Sequence, residues 1–162
     1  MTVTAALACA GAGAAIDLRT GRIPNLLTGP AAGLAILLSL MHGVEQSVTS
    51  ALLGLVLGGA LMLPGYIWGG TGGGDVKLLA AVGAFLGPGL VARTFLYSAV
   101  AGGVLAIGVA LSRGRRGTTV RDAACLVVAP VSARQNLDAD PARRFAYGPA
   151  IAAGTMLAVL GF

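Results

Sequence analysis

Six apolar runs follow one another along this chain with little between them: residues 2–16, 26–41, 48–68, 76–92, 94–112 and 145–162. They average about 18 residues, which as helix at about 1.5 Å per residue is about 27 Å, close to the hydrocarbon thickness of a bilayer. A lipid-facing backbone must satisfy its own hydrogen bonds, and the runs lack the alternating pattern of a membrane-barrel strand. The expected fold class is therefore all-α: a polytopic membrane protein, a bundle of about six transmembrane helices. Only 10% of the residues are charged, against about 25% in a soluble domain, so composition agrees. The 26 glycines also suit helices that must approach closely in lipid.

If all six runs span, ten of the eleven Lys and Arg residues fall on one side and Arg93 alone on the other. The positive-inside rule makes the basic side cytoplasmic and puts both termini outside. The formal charge of +5 then reports orientation in a plasma (inner) membrane, with lipid as the partner and no role for nucleic acid. Residues 113–144 form the longest connection, a basic cytoplasmic loop with a nine-residue apolar stretch, Ala123 to Val131, too short to span. No polar stretch is long enough to enclose a second core, so residues 1–162 read as one integral-membrane domain. The first run has no basic residue before it and leads into a charged motif, so it is not read as a cleaved secretory signal. Cys9 and Cys125 form no Cys-x-x-Cys pair, and no metal or cofactor is expected. His42 is the single His and lies outward, so a Ser–His or Cys–His mechanism lacks its base.

Six acidic residues remain, and four sit in polar connections. Asp17 and Asp75 instead abut apolar runs on the same cytoplasmic side, where an ionisable group is costly enough to suggest function. Each has a plainer alternative: Asp17 as the ion-pair partner of Arg19 or Arg22, Asp75 as the N-cap of the fourth helix. An N-cap does not explain five glycines among the six residues from Gly69 to Gly74. Nor does that run suit a phosphate loop, because Asp75 stands where a Walker sequence has its Lys. Two carboxylates at helix ends of a small bundle can converge, and such a pair is the equipment of aspartyl hydrolysis, one as base and the other as acid. Position at the helix ends assigns the base to Asp75 and the acid to Asp17.

These residues resemble a known family. Asp17-Leu18-Arg19-Thr20-Gly21-Arg22-Ile23-Pro24-Asn25 and Gly72-Gly73-Gly74-Asp75-Val76-Lys77-Leu78 are similar to the two aspartate motifs of the type IV prepilin peptidases, membrane proteases of the Gly-x-Gly-Asp kind. Tyr147-Gly148-Pro149-Ala150-Ile151-Ala152-Ala153-Gly154 looks like the family's last-helix signature, so the resemblance runs over nearly the whole chain. It implies that Asp17 and Asp75 are catalytic, near the cytoplasmic face, with Arg19, Pro24, Asn25, Gly72, Gly74 and Lys77 as supporting motif residues. The implied substrates are pilin-like precursors, cut at a short basic cytoplasmic leader. Size and Ile23-Pro24-Asn25 resemble the peptidases of tight-adherence (Flp) pilus systems, with archaeal preflagellin peptidases as related neighbours. The chain starts directly in its first apolar run, without the paired-cysteine segment of the bifunctional members, so N-methyltransferase activity is not expected. Lys77 is either a snorkelling anchor or an orienting partner of Asp75, and Asn25 a candidate cap of the second helix.

Two other function classes fit six spans: a small proton-coupled transporter using the aspartates as a relay, and an inactive pilus-assembly scaffold. A transporter would place its site near mid-membrane, whereas both aspartates fall at helix ends, and a scaffold has no need of two intact aspartate motifs.

Overall fold

The computed structural model describes residues 2–21, 23–41, 47–67, 71–112 and 147–161, with backbone alone for 106–112. The basic loop 113–144, together with Arg22, His42, Gly69, Gly70 and Cys125, lies outside the described residues. The described residues are helical throughout, as expected, in five elements: α1 (Thr2–Thr20), α2 (Asn25–Met41), α3 (Val48–Ile67), α4 (Gly73–Ser112) and α5 (Gly148–Leu160).

Two boundaries differ from the sequence expectation. α1 runs past Ile16 to Thr20, because Gly21 takes a left-handed conformation (φ 61°) and its N–H closes on Asp17 O at 2.8 Å, a left-handed C-terminal cap. Asp17 therefore lies inside the last turn of α1 and not beyond it. The turn expected at Arg93 is at Gly87, where φ 78° and ψ 175° break α4 into arms 73–86 and 88–112. Only glycine reaches that conformation cheaply, and Pro88 excludes helical geometry from the residue before it. The second arm folds back on the first: a Cβ at Gly83 would lie 3.0 Å from Val91 Cγ2, a pair that a straight helix would hold about 12 Å apart. Arg93 is consequently an exposed residue within the return arm.

The helical arms pack antiparallel around a core of Leu78, Leu79, Val82, Phe85, Val91 and Ile151, all 2% exposed or less. α3 crosses the first arm of α4 with backbone against backbone, Gly54 on Gly83 and Gly58 on Leu79 O. α5 lies antiparallel to the return arm, with Gly154 on Ser98 and Tyr147 beside Gly102. Large apolar side chains such as Leu37, Leu53, Val56, Leu96 and Val100 face outward. Val48–Ile67 and Gly73–Leu105 are long and apolar enough to cross a membrane, whereas Asn25–Met41 and Gly148–Leu160 are shorter apolar helices. These crossings bring the C-terminus of α1, the N-terminus of α4 and the N-terminus of α5 to one end of the bundle.

Candidate active site

Asp75 stands in the first turn of α4. Gly72 O accepts from Asp75 N at 3.1 Å and from Val76 N at 3.4 Å, which makes Gly72 the N-cap and Asp75 the third helical residue. Its Oδ2 turns back to accept Gly72 N–H at 3.0 Å, the acidic half of a capping box. The plainer alternative, in which Asp75 is itself the cap, therefore does not hold: the glycine caps, and the aspartate is held on the cap. Gly74 lets the segment after α1 close over this turn, since a Cβ there would come within 2.9 Å of Ile23 Cβ and 3.2 Å of Ile23 N.

Asp17 is reached from the opposite side. Its Oδ2 accepts the N–H of Gly148, first residue of α5, at 2.8 Å across 131 residues of sequence. Asp17 and Asp75 are 5% and 6% exposed, and their charges lie within electrostatic reach of one another. Burying two carboxylates opposes folding unless each is hydrogen-bonded, and each receives a backbone donor. The asymmetry expected from helix ends does not survive this geometry: α5 presents an N-terminal N–H to Asp17 just as α4 presents one to Asp75. Hydrogen bonding alone does not separate a base from an acid here.

The supporting residues divide. Arg19 is exposed and, among the described residues, forms no ion pair with buried Asp17; Arg22, the other partner considered for it, lies outside the described residues. Pro24 O accepts Leu27 N at 3.1 Å and opens α2. Lys77 Nζ donates to Asn25 Oδ1 at 2.8 Å, an exposed bridge from the first turn of α4 to the first residue of α2. The described hydrogen bond of Lys77 thus goes to α2, and the side chain of Asn25 serves that bridge. Beside it a shallow groove of about 320 Å³ runs between α2, α3 and α4, floored by Gly29, Ala32, Ala80 and Ala81; neither aspartate lines it.

The model of the type IV leader peptidase family matches residues 4–107, well over half of the chain and both aspartates. The chain belongs to that family. Two proteins named prepilin leader peptidase/N-methyltransferase, from Burkholderia pseudomallei strains 1026b and K96243, are each 40% identical to it over 111 residues. That stretch is 62% of this chain and 34% of each relative, so the family member spans about a third of the length of the curated relatives it matches. No solved structure matches the chain. The family match ends before Tyr147 and Gly148, residues whose contact with the site the sequence did not reveal. Their signal was the Gly-Pro start of a helix, which locates α5 but not what its first N–H meets.

Proposed function

We propose that this chain is an aspartyl endopeptidase of a bacterial inner membrane that removes the cytoplasmic leader from type IV pilin-like precursors, with Asp17 and Asp75 as its reacting groups. The observation that carries the reading is two buried, backbone-held carboxylates at one end of an apolar bundle, within electrostatic reach of one another, in a member of the leader peptidase family. One carboxylate takes a proton from water as the oxygen attacks the scissile carbonyl, and the other, protonated, donates to the carbonyl oxygen. Collapse breaks the C–N bond with a proton delivered to the amine, and both carboxyl groups return to their starting states. In this reading the chain has six spans with both termini outside, which makes this end of the bundle the cytoplasmic one, within one integral-membrane domain. The Ile23-Pro24-Asn25 form of the first motif favours a tight-adherence (Flp) pilin precursor. The proposed activity is hydrolysis alone, without N-methylation.

Co-expression with a type IV pilin precursor, followed by the mass of the pilin, tests this. The expected result is loss of the leader only when this chain is present. A further gain of one methyl group removes the restriction to hydrolysis, and intact precursors across several pilin types overturn the peptidase reading in favour of a transporter or scaffold.

The Lys77–Asn25 bridge contributes less. As an exposed hydrogen bond, its loss in Lys77→Met or Asn25→Ala costs about 1 kcal/mol or less, so cleavage changes by less than about fivefold. Rates of precursor cleavage by the purified variants check this; a loss of the size expected for the aspartates would move Lys77 into the reacting machinery.

A further inference from the structure

Gly148 is a glycine that its own backbone does not require. It is helical, and the described positive-φ glycines are Gly21, Gly87 and Gly161. What excludes a side chain is Asp17: a Cβ at residue 148 would lie 2.9 Å from both Asp17 Cβ and Oδ2, and 3.2 Å from Ala14 Cα. Ala14 Cα and Asp17 Cβ are fixed to the backbone of α1, so rotation about a side-chain bond cannot relieve the contact.

Tyr147, the N-cap of α5, makes no side-chain cap bond. Its phenol instead donates to Ser98 O on the return arm of α4 at 3.1 Å. The ring rests in the notch left by Gly102, where a Cβ would meet its Cε2 at 2.5 Å and its hydroxyl oxygen at 3.1 Å. Tyr147 O in turn accepts Ala150 N at 3.0 Å and Ile151 N at 3.2 Å, so the turn that presents Gly148 N–H is closed on both sides.

We propose that Tyr147 and Gly148 are positioning residues: seated on Gly102 and Ser98, they aim the Gly148 amide at Asp17 Oδ2, fixing that carboxylate and leaving its other oxygen for proton exchange. The inference rests on the reading of Asp17 as a reacting group. Gly72 N–H holds Asp75 in the matching way, so the two carboxylates are each pinned through Oδ2 by the start of a helix.

The test uses the full chain in detergent, with kcat and KM for a type IV pilin precursor and with melting temperature. Gly148→Ala is expected to lower kcat about 100-fold with little change in KM, the size associated with misplacing a reacting group by about 1 Å. Gly102→Ala touches neither aspartate and improves helix propensity, yet by displacing Tyr147 it lowers kcat about tenfold. Tyr147→Phe, which keeps the ring and loses the bond to Ser98 O, falls between the wild type and Gly102→Ala. Gly103→Ala, whose Cβ meets nothing within 4 Å, retains wild-type kcat. A purely structural role would lower melting temperatures and leave kcat per folded molecule unchanged, which overturns the proposal. A readout independent of cleavage is the melting penalty of Gly148→Ala, which shrinks in an Asp17→Gly background because the two atoms at 2.9 Å are gone and only Ala14 Cα, at 3.2 Å, remains. Additive penalties overturn the inference whatever the chain cleaves. A wild type that cleaves no precursor while the penalties remain coupled overturns the peptidase reading, and the positioning role with it.

Discussion

Asp17→Asn and Asp75→Asn are each expected to leave a folded protein that cleaves a pilin precursor at least about 10³-fold more slowly than the wild type, because in the proposed mechanism each removes a group that moves a proton. Asparagine preserves the volume at sites only 5% and 6% exposed. Its carbonyl oxygen still accepts the N–H of Gly148 or Gly72, so melting temperatures stay close to wild type. What asparagine does not do is take a proton from water or deliver one to the substrate carbonyl. Since both groups act on one reacting water and one carbonyl, the double variant should be little worse than either single one, the non-additivity of residues that act as a unit. Wild-type rates in both single variants would end the aspartyl mechanism.

Gly54→Val and Gly83→Val are expected to cost about 3 kcal/mol or more, a large part of a stability of about 5–15 kcal/mol, and to depress the yield of folded protein sharply. At this crossing of α3 and α4 a Cβ on either glycine runs into the other's carbonyl oxygen, and one on Gly54 also comes within 2.9 Å of Gly87 Cα. Backbone atoms cannot rotate away, so the helices must separate along the seam that also carries Gly58 against Leu79 O. Gly33→Ala is the control: nothing lies within 4 Å of its Cβ position, and the substitution should leave stability unchanged or raise it by up to about 1 kcal/mol. Thermal unfolding in detergent separates the two classes, and equal stability of Gly83→Val and wild type would show that the crossing is not in backbone contact.

Much of the helical layout was legible in residue order. The apolar runs 26–41 and 48–68 sit within one residue of α2 and α3. α1 outran its apolar stretch because a helix ends at its cap, here Gly21, and not at its first charged residue. The turn within α4 was misplaced at Arg93 for a related reason: charge marks where a segment meets water, whereas Gly87-Pro88 marks where the backbone must bend. The Gly-Pro pair was readable and should have outweighed the arginine.

The site divides along the same line. Asp17 and Asp75 stood out from sequence alone because a carboxylate beside an apolar helix is costly wherever the helix goes, and the glycines before Asp75 announced a close backbone approach. Their convergence on one end of the bundle, the Gly148 amide on Asp17 and the Lys77 bridge to Asn25 were decided only in three dimensions. Helix, cap and burial cost are written in a few neighbouring residues, so the sequence by itself determined the all-helical class and the two acidic candidates. Which helix end faces which depends on how side chains and missing side chains interlock across 131 residues, and that register belongs to the packed bundle.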